Sequence, residues 1–480
     1  MMKKRDKRRR QRISPPAVHV VSLGCPKNLV DTELICGCLG TAGFAFAETP
    51  DDADLVLINT CGFIEPACEE ARQEVEAGIQ WKGRRRGRFL VVAGCWVQRY
   101  EDLVRREYPG IDLLLDLNAI PESADLIAGL FNGTSVREAG LSGERATYLA
   151  DDQAPRLLLS SPAHGYLKIA EGCSHGCRFC TIPSIRGALR SRSIDSLVKE
   201  AQTLLDCGVR EINVIGQDTT QYGRDRDDGA NLPSLLRALD ALNGEEYWVR
   251  LLYTHPAHFS DEVIDALAGS AHAVPYIDMP LQHISDSVLE AMGRRTPAAE
   301  IRSLLDRIRE RISGVAIRTT FLVGYPGETD ADFAALLDFV REVRFERLGC
   351  FAFSPEQGTP AARLHEENPV PREAAEERRD QVMLLQQTIS RENNEALVGT
   401  ELTVLIDGTT EDGDILARTT LDAPDVDDRV ILPPESVSPE PQFARVRVTR
   451  AGAYDLAAEP VAGRSYARVL TEVGQYDTYR

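Results

Sequence analysis

The sequence predicts an α/β multidomain chain: an N-terminal α/β domain on a parallel sheet, then a partial (β/α)6 barrel, then a small antiparallel β-barrel at the C-terminus. Three observations predict this. Short apolar, β-branched runs alternate with helix-length amphipathic stretches through most of the chain, the pattern of buried parallel strands joined by crossover helices. Beyond residue 400 the spacers shrink to Gly, Asp and Pro clusters, as in a small β-barrel. A length of 480 residues is also too much for one hydrophobic core.

Residues 1–16 open the chain with eight Lys/Arg and one Asp in the first twelve positions, a basic tail expected to be disordered. Residues 17–145 then repeat one pattern three times: AVHVVSL (17–23) before Gly24-Cys25, LVLIN (55–59) before Thr60-Cys61-Gly62, and FLVVA (89–93) before Gly94-Cys95. Loops after parallel strands converge at one carboxyl edge, so the three cysteines are expected together there. Residues 146–161, with Gln153-Ala154-Pro155 and Ser160-Ser161-Pro162, have the composition of a linker.

Residues 162–397 carry six candidate strands, at 166–171, 211–216, 247–252, 276–281, 317–323 and 347–353. Amphipathic stretches such as 195–207 and 330–343 lie between them, and a long polar helix over 372–397 closes the region. Six βα units fit a partial barrel with its site at the C-terminal mouth. In residues 398–480, strands are expected at 402–406, 414–418, 429–432 and 444–448.

Composition narrows the function. With 43% hydrophobic and 27% charged residues the chain is a soluble globular one. No apolar run approaches the roughly 18 residues of a membrane span, and no signal-peptide apolar region follows the basic start. A cytoplasmic protein with no membrane partner is expected. The net charge of −19 argues against general nucleic-acid binding, which needs Lys and Arg on phosphates, and favours a basic partner. Residues 401–480 share this sign, with 15 acidic against 8 basic residues.

Eleven cysteines in a reducing compartment point to metal or thiol chemistry where they cluster. Cys173-Ser-His-Gly-Cys177-Arg-Phe-Cys180 follows the first barrel strand. Three thiolates at this spacing can hold three irons of a 4Fe-4S cluster and leave the fourth open to an exogenous ligand. His175, inside the loop, offers the alternative of a zinc site. Cys36, Cys38, Cys68, Cys207 and Cys350 belong to neither group and are expected to be small apolar residues. No Ser-His-Asp arrangement, Walker loop or H-E-x-x-H motif is present.

The C-x3-C-x2-C loop, with the aromatic Phe179 before its last cysteine, resembles that of the radical S-adenosylmethionine enzymes. The resemblance implies that S-adenosylmethionine chelates the open iron and that one electron from the cluster cleaves its sulfonium to an adenosyl radical. The second trio, Cys25, Cys61 and Cys95, narrows the likeness. A second cluster in an N-terminal domain and a terminal TRAM β-barrel resemble the methylthiotransferases, a match over the whole chain except the basic tail. This implies two 4Fe-4S clusters, with the N-terminal one taking part in sulfur delivery, and replacement of C–H by C–S–CH3.

That family has two branches, one modifying tRNA adenosines, the other the β-carbon of an aspartate in small-subunit ribosomal protein twelve. The stretch 22–31 (SLGCPKNLVD), the stretch 216–223 (GQDTTQYG) and Met279-Pro280-Leu281-Gln282-His283 look like the ribosomal branch. The acidic C-terminal barrel would attract so basic a protein and repel tRNA. An electron donor such as flavodoxin or ferredoxin is implied. Two rivals stay open: a tRNA adenosine methylthiotransferase, and a non-catalytic iron-sulfur module that binds ribosomes.

For S-adenosylmethionine the candidate contacts are Phe179 and Arg186 beside the cluster loop, Gln217 and Asp218 after the second strand, and Gln282 after the fourth. Arg186 could meet a carboxylate of cofactor or substrate. The glycines of 324–328 (GYPGE) either admit the cofactor or make a turn, and His255, His258 and His283 are proton carriers or structural imidazoles.

Overall fold

The computed structural model describes residues 15–134, 136–244 and 246–461. Almost all of the expected basic tail (1–16), and residues 462–480 of the C-terminal region, lie outside the described residues. The chain separates into two compact units, Met1–Tyr148 with Ala154–Leu157, and Leu149–Gln153 with Leu158–Arg480.

The first unit is a five-stranded sheet. Its strands are β1 (Ala17–Ser22), β2 (Ala45–Phe46), β3 (Leu55–Thr60), β4 (Phe89–Gly94) and β5 (Leu113–Leu115), in the order β2-β1-β3-β4-β5. Every pairing is parallel. All six residues of β3 are buried, which is why that segment shows no alternation. β2 and β5, two and three residues long, are too short to register as periodic runs. Part of the expected linker docks here, since Arg156 Nη2 lies 2.6 Å from the fully buried Glu33 carboxylate.

The second unit holds six parallel strands in sequential order: β6 (His164–Lys168), β9 (Glu211–Ile215), β10 (Trp248–Leu251), β11 (Ala273–Asp278), β12 (Ala316–Val323) and β13 (Arg347–Ala352). A small ribbon, β7 (Ala170–Glu171) with β8 (Arg190–Ser191), brackets the loop after β6. The sheet is the expected partial barrel, and the 24-residue helix Arg372–Glu395 covers β13.

The C-terminal barrel is closed in the order β14 (Glu401–Thr409), β15 (Ile415–Thr419), β16 (Val430–Leu432), β18 (Leu456–Pro460) and β17 (Phe443–Ala451). Four pairings are antiparallel and one, β16 with β18, is parallel. β18 (LAAEP) escapes sequence reading because alanines and a terminal proline carry no strand signal.

The loop from β15 to β16 reaches into the partial barrel. Tyr166 donates to Asp425 at 3.2 Å and Tyr276 to Asp427 at 2.5 Å, while Arg318 pairs with Asp427 at 3.3 Å. Arg347 pairs with both Asp422 and Asp428. This revises the charge argument. Asp407, Asp422, Asp427 and Asp428 face arginines of their own unit, so that part of the C-terminal acidity adds little to an external field.

Candidate active site

In the first unit the chain turns into a helix directly after β1 and after β4, so Cys25 caps the helix Pro26–Thr41 and Cys95 begins the helix Cys95–Glu107. Cys61 follows β3, which lies between β1 and β4. With strand order 2-1-3-4-5 the topological switch lies between β1 and β3, where ligands of open parallel sheets bind. The backbones come close enough to require glycine. A Cβ on Gly24 (φ +87°) would lie 2.7 Å from Cys61 Cβ, and one on Gly62 would lie 2.9 Å from the Cys95 carbonyl oxygen.

Asn28, which sequence reasoning passed over, stitches the edge. Its amide donates to the Leu23 carbonyl at 2.7 Å and to those of Asn59 and Thr60 at 3.4 Å, and its Oδ1 lies 3.9 Å from Cys95 Sγ. The three predicted cysteines therefore share one edge, two of them at helix starts whose N–H groups suit anionic sulfur.

In the second unit the cysteine loop leaves β7 through Gly172 (φ +72°), where a Cβ would meet the Ala188 carbonyl oxygen at 2.1 Å. Cys173 N–H donates to the Gly187 carbonyl at 3.1 Å and Arg178 N–H to that of Met292 at 2.9 Å, fixing both ends of the loop. Burial pushes the Cys173 thiol up to about 11 and the Cys180 thiol up to about 12, and raises Cys177. Burial favours the protonated thiols, and a bound metal would displace the protons.

A cation whose charge acts on all three sulfurs is Arg294, which sequence reasoning missed, since nothing local separates it from other arginines. It is 6% exposed, donates to the Pro280 carbonyl at 2.7 Å, and its charge acts on the Cys177 sulfur. It has no ion-pair partner among the described residues. A buried, unpaired guanidinium against three thiols fits an anionic thiolate cluster.

The other predicted residues divide. His175 Nε2 meets Asp218 Oδ2 at 2.6 Å. Burial opposes the Asp218 charge, but hydrogen bonds from His175 and Thr220 outweigh it and hold the carboxyl below its usual range. Arg186 is buried and finds a carboxylate of its own chain, Glu171, at 3.0 Å; Lys168 and Gln217 reach the same carboxylate at 2.5 and 3.3 Å. Phe179 packs on the small apolar cluster of Val288, Met292, Tyr325 and Ala361.

Gln282 lies at the mouth with a left-handed backbone (φ +71°), as does Tyr253 (φ +58°). Such non-glycine strain tends to mark functional positions. The turn 324–328 faces protein, since a Cβ on Gly324 would lie 2.2 Å from Ala375 Cβ. His283 is fully buried, lowered to about 4 by burial and 4.0 Å from Glu328, a structural setting.

The open six-stranded sheet, with a three-cysteine loop at the mouth of its first strand, defines the class: a radical S-adenosylmethionine enzyme. Residues 167–340 match the Radical SAM superfamily, residues 17–116 the uncharacterized protein family UPF0004 and residues 398–461 the TRAM domain. The fold resembles that of the radical S-adenosylmethionine methyltransferase TsrM from Kitasatospora setae, with a TM-score of 0.51 and 18% identity over 70% of this chain and 75% of that one. The chain is 41% identical to the ribosomal protein uS12 methylthiotransferase RimO of Syntrophus aciditrophicus over 93% of its own length and 98% of that protein's. It is 42% identical to the one from Geotalea uraniireducens, covering 92% and 98%. The chain belongs to the ribosomal protein uS12 methylthiotransferase family. No helix among the described residues is long and apolar enough to cross a membrane.

Proposed function

We propose that this methylthiotransferase modifies the β-carbon of an aspartate in ribosomal protein uS12. Cys173, Cys177 and Cys180 hold the 4Fe-4S cluster that binds S-adenosylmethionine, and Cys25, Cys61 and Cys95 hold a second one for sulfur delivery. The observation that carries the reading is the repetition of one device, three cysteines and not four at the carboxyl edge of a parallel sheet, in each unit. When bound, S-adenosylmethionine and its cluster supply hydrogen abstraction from an unactivated carbon.

The chain's residues have separate tasks. Arg294 balances the negative charge of the cysteine loop, and the contact of Arg178 N–H with Met292 fixes the loop's position. Gln217, Asp218 and Gln282 line the mouth as cofactor contacts, while Phe179 and Arg186 act from behind through packing and through Glu171. The uS12 assignment is supported by the relatives' name and by Pro26-Lys27 after Cys25. A cytoplasmic setting and a flavodoxin or ferredoxin as electron donor complete the proposal. So do functional segments at 17–145, 162–397 and 398–480, joined by a linker at 146–161.

The test is an anaerobic competition. Reconstituted enzyme, reductant and S-adenosylmethionine meet uS12 and unmodified tRNA in one tube, with both products read by mass spectrometry. A methylthio-aspartate on uS12 alone is expected; a methylthio-adenosine would transfer the chain to the tRNA branch.

A further inference from the structure

Three imidazoles gather beside the cysteine loop. His175 and His255 stack at 4.0 Å with 18° between their planes, His258 lies edge-on at 5.0 Å, and the three offer nitrogen atoms within 4.8 Å of one another. That spacing suits a metal ion, but hydrogen bonding excludes one. The backbone N–H of Ala257 donates to His255 Nδ1 at 3.1 Å, so the ring proton sits on Nε2 and neither nitrogen is free to ligate. Burial holds this imidazole neutral, with the charge of Arg294 acting in the same direction.

His255 Nε2–H is therefore a hydrogen-bond donor. It is buried, on a residue only 8% exposed, and has no acceptor among the described residues. Such a donor costs folding free energy unless a ligand satisfies it. Its setting selects the ligand. The imidazole lines a cavity of about 930 Å³ whose wall carries three arginines, Arg178, Arg294 and Arg295, against two carboxylates, Asp286 and Glu290. Buried donors with an excess of positive charge suit a carboxylate.

We propose that His255 Nε2–H, with Arg294, forms a carboxylate subsite that seats the side chain of the target aspartate, one bond from the carbon to be modified. This rests on the uS12 reading. The same chemistry could be met by the carboxylate of S-adenosylmethionine, so the test separates the two sources.

Dissociation constants for uS12 and, separately, for S-adenosylmethionine are measured on the anaerobically reconstituted enzyme, for the wild type, His255→Phe and His255→Gln. Thermal unfolding is followed in parallel to confirm that each variant is folded. Loss of a hydrogen bond to a charged group predicts about tenfold weaker uS12 binding for His255→Phe, with most of it recovered in His255→Gln, which keeps a donor. The S-adenosylmethionine constant is expected to move less than about twofold. A uS12 carrying asparagine for the target aspartate should weaken binding to the wild type but add little to His255→Phe.

Unchanged uS12 binding in folded His255→Phe would overturn the subsite. A loss confined to S-adenosylmethionine would reassign the carboxylate to the cofactor and overturn the proposal as stated. Failure of the underlying reading shows separately, as a wild type that neither binds nor modifies uS12.

Discussion

Arg418 of β15 lies 2.7 Å from Glu211 of β9, joining the C-terminal barrel to the partial barrel through a fully buried pair. Glu211 also meets Arg250 at 2.5 Å, and Arg418 is held by Asp407 at 2.7 Å, so each charge is matched. Burial opposes the Glu211 charge, yet the two arginines keep its carboxyl well below the usual range. Glu211→Gln leaves the buried Arg250 guanidinium without a carboxylate and Arg418 with Asp407 alone, and should cost about 3–5 kcal/mol, read as a lower urea midpoint of the second unit. A shift below about 0.5 kcal/mol would mean that water reaches the pair.

Asp428 should set a pH dependence. Its carboxyl is pushed up to about 7, chiefly by burial, with Arg347 and Asn394 only partly countering it. The folded value lies above the unfolded one of about 4, so the fold binds the proton more tightly. The stability this confers is present below pH 4 or so and is lost as pH rises through 7. Asp428→Asn keeps an acceptor for Asn394 and removes the cost of ionisation. It should exceed the wild type at pH 8 by on the order of 1–3 kcal/mol, with the difference shrinking towards pH 4, in urea titrations at each pH. Equal pH profiles would count against a buried, proton-binding Asp428.

Gly94 tests the first unit's edge. Its φ of +99° is open to glycine, and a Cβ there would lie 2.2 Å from Asn59 Oδ1 and 2.6 Å from the Thr60 carbonyl oxygen. Gly94→Ala should cost about 1–3 kcal/mol and displace Cys95. Iron bound per chain should fall by about half, because only one of two four-iron sites is disturbed. Full iron with an unchanged melting point would show that the edge tolerates the shift.

The two trios should separate by function. Cys173→Ala should abolish S-adenosylmethionine cleavage and methylthio transfer together. Cys25→Ala should keep cleavage, measured as 5′-deoxyadenosine, and lose methylthio transfer to uS12. Loss of cleavage in Cys25→Ala would contradict the division of labour.

Cys173, Cys177 and Cys180 were legible because their chemistry lies in spacing within one loop, and Cys25, Cys61 and Cys95 because each repeats the same strand-then-cysteine sentence. Six barrel strands were legible for a like reason: buried parallel strands are continuous apolar runs. Arg294 was not, since its meaning depends on Cys177, a residue far off in the chain that only folding brings to it.

The same holds for Arg186, whose guanidinium the fold pairs with Glu171, and for the acidity of the C-terminal region, part of which is matched by Arg318, Arg347 and Arg418. Periodicity and short motifs are local and survive in one dimension, so they settled the class of fold and singled out the six cysteines as candidate ligands. Charge pairing and the tautomer of His255 depend on distance in space, and the packed structure alone decided which charges are matched and which donor is left to greet a ligand.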